Sequence, residues 1–335
     1  MARERQVFNA QNGVTGGVWR DGNVITKTLR SHAPEAHPRW IPSDDPRHWL
    51  YWRREAFAYE TDLPSRLGLP GPRLLSSDPT DDGVELRIAA YDGRTAGSLT
   101  VADLSRVARA VGESQGRDNL PTDAWLSERF LRTYSSTRAA DHALLDDDAA
   151  WEQDLVAPFV NDETRRDLQF IHANRERLYA IMEALPRTVC HLDLFPANIF
   201  ATDDALGLID WSFTGDGAIG EDIGNLIPDS IFDRDLHISL LPELEERLVP
   251  EYVAGLRAAG WAGDDRLVML GVHASAVKYD WLGPRVLAGA GDTEHSQYGG
   301  APTDATELFA ARWSGLALMG RWAREALASA ERLRI

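Results

Sequence analysis

The apolar positions of residues 6–29 read as β. A short strand, "QVFNA", precedes a glycine-containing loop, "QNGVTGG", and two strands in "VWRDGNVITKTL". Asp21-Gly22 divides these two strands, and glycine supplies the positive φ that a tight hairpin turn demands. Lys27 falls on the last of them. After a loop, "SHAPEAHPRWIPSDD", the period changes. Asp45 as N-cap and Pro46 at the first helical position open a helix through "RHWLYWRREAFAYETDL". Trp49, Trp52, Ala56 and Tyr59 recur on its apolar face, and it stops before Pro64 or at Gly68. Two further strand-like runs, "PRLLSS" and "VELRIAAY", flank the turn "DPTDDG".

"YDGRTAG" at 91–97 reads as a linker, after which the pattern turns helical. "TVADLSRVARAVGESQG" and "DAWLSERFLRTY" are amphipathic, and helices are expected at 161–184, 240–260, 265–283 and 304–333. Residues 141–154 form an acidic, solvated insertion. Its carboxylates lack the glycine turn and the alternation of a calcium loop. The segment 191–210 is β-like. The layout is α+β: a small β-rich N-terminal lobe with one helix, a linker, and a larger, mainly helical lobe interrupted by a short β insertion.

That insertion carries the unusual polarity. "HLDLFPANIF" at 191–200 sets His191, Asp193 and Asn198 among apolar residues, where unpaired polar groups are costly. "NIFA" and "LGLID" form a hairpin around "TDDA", which makes Asn198 and Asp210 neighbours, with Asp193 in the loop leading in. Two carboxylates and a carboxamide oxygen at one point suit a hard cation such as Mg²⁺.

Composition narrows the partners. The chain has 335 residues, 44% of them hydrophobic, and a net charge of −17. That charge sets aside nucleic acid and anionic membranes as partners and suits a cationic substrate. The lone cysteine, Cys190, excludes an internal disulfide and a cysteine-based zinc site, and a cytoplasmic setting is expected. The N-terminus lacks a signal-peptide core, and no run is long enough to cross a bilayer. Among 35 basic residues only Lys27 and Lys278 are lysines, so each invites a reason.

The H-x-D-x-x-P-x-N pattern of His191, Asp193, Pro196 and Asn198, followed by "IDW" and "GEDIGNL", resembles the aminoglycoside phosphotransferase and choline kinase-like group. The resemblance implies a bilobal protein-kinase-like fold, with a nucleotide-binding lobe and linker at 1–92 and a helical lobe carrying the catalytic loop and acceptor site at 93–335. It implies an ATP-dependent kinase with a hydroxyl acceptor. Lys27 would pair with Glu55, or in reserve Glu60, and hold the phosphates. The Gly13, Gly16 and Gly17 loop would lie near them, and adenine would lie against the linker at Ala90 and Tyr91. Asn198 and Asp210 would hold Mg²⁺, Asp193 would take the acceptor's proton, and His191 would brace the loop.

The chain departs from the group at several positions. "NGVTGG" is not G-x-G-x-x-G. Leu192 stands where many relatives carry Gly, which would shift the acceptor pocket, and Asn225 stands where many carry Asp. Asp222 is then either the brace of the catalytic loop or a helix N-cap. Asp229 belongs to a run of acids after the metal site, with Asp216, Glu221, Asp233 and Asp235, suited to a cationic acceptor. His273, Lys278 and Trp281 share one expected helical face near the acceptor. A small-molecule kinase is the leading reading. A Ser/Thr peptide kinase and a non-catalytic kinase-like binding protein are the alternatives, and intact Lys27, Asp193, Asn198 and Asp210 argue against the last. The acceptor and the oligomeric state stay open.

Overall fold

Five antiparallel strands open the chain: β1 (Glu4–Arg5), β2 (Thr15–Asp21), β3 (Val24–Arg30), β4 (Leu74–Thr80) and β5 (Gly83–Ala89), in the order β1-β2-β3-β5-β4. The computed structural model describes residues 4–6, 8, 9, 12–138, 140–296 and 302–335. Residues 7 and 10 of the expected "QVFNA" strand and residue 11 of the loop lie outside the described residues. Gly22 takes φ 57°, as the β2–β3 turn requires. β3 is central, paired with both β2 and β5, and this fixes Lys27 between Val18 and Leu86.

The helix expected from Asp45 begins eight residues late. Asp45 Oδ1 accepts from Arg47 N at 2.9 Å and caps a turn, and helix proper starts at α1 (Arg54–Glu60), followed by α2 (Leu63–Leu67). The reason lies in Arg54. Its guanidinium is fully buried and donates to the carbonyls of Pro46, His48 and Trp49 at 2.7–2.9 Å. Those carbonyls are turned toward a charge and away from a helical ladder. Arg54 also reaches Trp125 O at 2.9 Å and Ser212 O at 3.2 Å, so one side chain ties α1 to two distant loops.

The helical part comprises α3 (Val101–Gln115), α4 (Phe130–Thr137), α5 (Asp148–Trp151), α6 (Asp162–Ala184), α7 (Glu221–Phe232), α8 (Leu241–Ala258), α9 (Asp265–Ala274), α10 (Leu282–Gly289) and α11 (Ala305–Leu333). Thr100 and Asp103 form a capping box at the start of α3. Gly112 lets α3 meet α8 closely, since a Cβ there would stand 2.1 Å from Tyr252 O. The helix expected over 123–134 forms only from Phe130. Upstream, Ser127 is held by backbone bonds with Thr214 and Asp216, which outweigh local helical preference. The helix expected over 265–283 breaks into a 3-10 turn at Ser275–Tyr279.

Two small antiparallel pairs interrupt the helices. β6 (Arg187–Cys190) pairs with β9 (Gly215–Ala218), and β7 (Ile199–Ala201) pairs with β8 (Leu206–Leu208). A continuous apolar core runs through the sheet region and the helical part. Fully buried Trp49 links them, with its ring against Trp40, Tyr134 and Phe213 at centroid distances of 5.3–5.5 Å. Among the described residues no helix is long and apolar enough to cross a membrane.

Candidate active site

The β7–β8 hairpin closes as its sequence suggested. Ile209 N donates to Asn198 O at 3.1 Å, which sets Asn198 beside the residue that precedes Asp210. Asn198 Nδ2 donates to Asp193 Oδ2 at 3.1 Å and to Asp193 O at 2.9 Å. With its amide nitrogen so used, Asn198 keeps Oδ1 as its ligand atom. Asp210 sits at φ 60°, a left-handed conformation unusual for a residue other than Gly, Asn or Asp.

From the sheet, Lys27 Nζ reaches Glu55 Oε2 at 2.6 Å and Asp210 Oδ2 at 3.3 Å. The strand lysine, the α1 glutamate and the hairpin-end aspartate therefore meet. Glu60, the reserve partner, bonds Ser77 Oγ at 2.6 Å instead. Burial works against the Lys27 ammonium, but Asp210 and Glu55 outweigh it and hold its pKa above the usual lysine value. Burial would raise Asp210, yet Lys27 holds it low. Burial, followed by the charge of Asp210, pushes Asp193 up to about 7. Asp210 Oδ1 is buried without a hydrogen-bond partner, an acceptor atom that fits a cation. Together with Asn198 Oδ1 it makes the all-oxygen donor set that Mg²⁺ prefers.

His191 spans the loop. Its Nε2 lies 3.0 Å from Ile209 O, and its Nδ1 lies 3.3 Å from Asp193 N. This network assigns the proton to Nε2, with Nδ1 accepting. Burial lowers the pKa of the imidazole, which favours the neutral ring. Both oxygens of Asp222 accept backbone N–H groups of the loop, from His191 at 2.9 Å and from Leu192 at 2.8 Å. Asp222 thus braces the loop and does not cap α7, whose N-cap is Gly220.

Sequence reasoning missed what stands behind Asp222. Gln115 Nε2 donates to Asp222 Oδ2 at 2.8 Å, Tyr252 OH donates to Gln115 Oε1 at 2.5 Å, and Gly220 N donates to the Tyr252 hydroxyl oxygen at 3.1 Å. A signal was present. Gln115 continues the apolar stripe Leu104, Ala108, Val111, and Tyr252 continues Leu244, Leu248. A polar group on a buried stripe implies a buried partner.

The other expected positions have these local contacts. Gly16 and Gly17 lie on β2, and a Cβ on Gly17 would strike the Trp19 ring at 2.2 Å. Gly13 N donates to Trp40 O at 3.0 Å, and a Cβ there would stand 2.4 Å from the same oxygen. At each of these positions a side chain would meet its neighbours in the sheet region. Leu192 is fully buried at φ 66° and lies over Gly217, so its side chain packs inward. Ala90 N already donates to Asn23 O at 2.9 Å, and Tyr91 stacks on Phe200 with centroids 6.1 Å apart.

The helical face expected for His273, Lys278 and Trp281 is divided by the 3-10 turn. His273 packs against Trp322 and Glu325, while Trp281 lies beside the guanidinium groups of Arg138 and Arg285. Lys278, buried, approaches Asp229 Oδ2 at 3.8 Å and lies within electrostatic reach of Asp193. Burial raises the Asp229 carboxyl, with Lys278 opposing.

Comparison with known proteins bears on the fold and the family. A choline/ethanolamine kinase family protein from Mesorhizobium loti is similar in fold, with a TM-score of 0.52 and 16% identity over 98% of this chain and 92% of that one. An amicoumacin kinase, solved with AMP-PNP, Ca²⁺ and its ligand, has a TM-score of 0.50 and 12% identity over 94% of this chain and 87% of that one. Homoserine kinase of Methylobacterium radiotolerans is 35% identical over 101 residues, 28% of this chain and 30% of the relative. That of Rhizobium johnstonii is 36% identical over 81 residues, 24% of this chain and 23% of the relative. The matched stretch thus spans less than a third of these curated relatives. The model of the phosphotransferase enzyme family matches residues 27–263, from the strand lysine past the braced loop, and the chain belongs to that family.

Proposed function

We propose that this protein is an ATP-dependent O-phosphotransferase that moves the γ-phosphate to a hydroxyl of a small molecule. The observation that carries the reading is the meeting of Lys27 with both Glu55 and Asp210 at 2.6 and 3.3 Å, beside the Asp193–Asn198 pair. In this reading residues 1–92 carry the nucleotide and 93–335 carry the acceptor. Lys27, oriented by Glu55, holds phosphate oxygens. Asp210 and Asn198 would hold Mg²⁺, which when bound neutralises charge on the phosphates. Asp193 orients the acceptor hydroxyl and receives its proton, for which a pKa near 7 is well matched. Positioning and charge supply most of the rate in such transfers.

The run of acids that begins at Asp229, which acts on Asp193, favours an acceptor that also carries an amine. Asp229 is raised chiefly by burial, and Asp235 is pushed up to about 7 by burial and by Asp233 and Asp229. A cationic group would relieve that crowding. An amino sugar, an amino alcohol or a hydroxy amino acid answers both demands. The lone buried Cys190 agrees with a cytoplasmic setting.

The test is Mg²⁺-dependent ADP release with a panel of aminoglycosides, sugars, choline-like alcohols, homoserine and Ser/Thr peptides, with Asp193→Asn alongside. Acceptor-stimulated release that collapses in the variant supports the proposal. Stimulation by peptides alone would transfer it to a peptide kinase. Equal release by both proteins would remove Asp193 as the base.

A further inference from the structure

Positive charge collects at one place in a chain whose net charge is −17. Arg39 comes from the 3-10 turn Pro38–Trp40, Arg138 from the residue after α4, Arg285 from α10 and Arg312 from α11. Aromatic rings hold two of them. The Arg138 guanidinium lies over Trp40 at 4.6 Å, over Tyr134 at 4.5 Å and over Trp281 at 5.0 Å, and that of Arg285 lies 5.9 Å from the same Trp281 ring. Partial burial, followed by the charges of Arg138, Arg312 and Arg39, holds the Arg285 guanidinium below its ordinary pKa.

Arg312 has an anion of its own, Asp233 at 3.4 Å. Arg138 and Arg285 are different. Among the described residues neither forms an ion pair with a carboxylate, and Arg138 gives one nitrogen to the neutral hydroxyl of Tyr134. Contact with an aromatic face leaves the in-plane N–H donors of a guanidinium unused. Arg138 Nε and Trp281 Nε1, both donors only, are buried without an acceptor. Orphaned donors cost free energy, and so does like charge held together. An oxyanion relieves both, because the guanidinium fork matches carboxylate and phosphate oxygens.

Tyr134 ties this patch to the acceptor side of the site. Lys278 Nζ lies 5.8 Å from the ring that also carries Arg138, and Lys278 is within electrostatic reach of Asp193. We propose that Arg138, Arg285 and the Trp281 indole N–H, with Arg39 adding charge, bind an oxyanion group of the acceptor, a carboxylate or a phosphate. Assigning the anion to the acceptor rests on the kinase reading; the anion site itself does not. The amine-bearing acceptors are thereby narrowed to those that also carry an oxyanion. Asp229 and Asp235 then address one charge of such a molecule, and the arginines address the other.

The first experiment needs no catalysis. The full chain, without nucleotide and at low ionic strength, is titrated by calorimetry with inorganic phosphate and with acetate. One equivalent of at least one anion should bind saturably. Arg138→Met and Arg285→Met should each weaken it by about 10-fold or more, the loss of one charged hydrogen bond. Arg285 is exposed, so its variant covers the case in which the stacked Arg138 cannot be replaced without unfolding. Lys27→Met should leave the binding unchanged. The second experiment compares matched acceptors in the ADP-release assay: homoserine against its amide for a carboxylate, glucosamine 6-phosphate against glucosamine for a phosphate. One anionic member should be favoured about 10-fold or more in kcat/KM, and Arg285→Met should erase the preference. The favoured pair names the anion. Absence of saturable binding, equal binding by both arginine variants, loss confined to Lys27→Met, or turnover without preference for an anionic member would each overturn the proposal. Failure of every acceptor to be phosphorylated would count against the kinase reading alone, and the calorimetry would still decide the anion site.

Discussion

Replacing Asp222 tests whether the loop that carries Asp193 is held from behind. The carboxylate is 1% exposed and receives three donors: His191 N at 2.9 Å, Leu192 N at 2.8 Å and Gln115 Nε2 at 2.8 Å. Hydrogen bonds to a charged group contribute about 1.5–3 kcal/mol each, and a buried donor left unpaired costs about 1–3 kcal/mol. Asp222→Ala orphans all three donors, and a loss of about 4 kcal/mol is expected, a large part of a typical domain's stability. Asp222→Asn keeps one acceptor oxygen but turns an NH₂ toward a donor, and about 2–3 kcal/mol should be lost. The brace also holds Leu192 at φ 66°, a conformation that costs a non-glycine residue about 1–3 kcal/mol. Without it the loop relaxes and Asp193 moves. A displacement near 1 Å costs roughly 10²-fold in rate. Urea unfolding followed by tryptophan fluorescence gives the first quantity, and kcat for ADP release at saturating ATP gives the second. KM for ATP should hold, because Lys27 and Glu55 are untouched. An Asp222→Asn protein within 0.5 kcal/mol of the parent (on the order of a neutral surface change) and with unaltered kcat would refute the reasoning.

Arg54→Met should cost about 3–5 kcal/mol, because five backbone carbonyls lose a charged donor at once; a shift of less than about 1 kcal/mol in the urea midpoint analysis would contradict this. Lys27→Met should lower kcat/KM for ATP about 10²–10³-fold, the scale of losing one electrostatic donor. It should also leave Glu55 and Asp210 unpaired, so Lys27→Met/Glu55→Met should be more stable than Lys27→Met in the same unfolding assay. Glu221 is 2% exposed, and burial pushes its pKa up to about 7. The folded state therefore holds a proton that the unfolded state releases near pH 4.5. Glu221 lowers stability as pH rises from there through 7, and Glu221→Gln should flatten that decline in unfolding curves taken between pH 5 and 8.

The parts of this molecule that could be read from sequence are those governed by short spacing. The H-x-D-x(4)-N loop, the hairpin that brings Asn198 to Asp210, and Lys27 on the third strand all depend on residues near one another in the chain. The helices with clean amphipathic stripes and caps, α3, α6, α8 and α11, fell within a few residues of expectation. What escaped depends on distant partners. A cap signal at Asp45 made a turn because Arg54 gathered the carbonyls of Pro46, His48 and Trp49. The helix at 123–134 gave way to pairing of Ser127 with Thr214 and Asp216. Likewise, the shared face of His273 and Trp281 dissolved at a 3-10 turn.

The scarcity of lysine has a practical side. Lys27 and Lys278 are the chain's two side-chain amines, 7% and 4% exposed, one against Asp210 and the other against Asp229. An arginine-covered surface gives an amine-selective acylating reagent almost nothing to label. A nucleotide that carries such a group on its phosphates would meet its target only where it docks. Each modified site could then be read from a single peptide, without a background of surface adducts, so the composition of the chain turns its interior into its own occupancy probe.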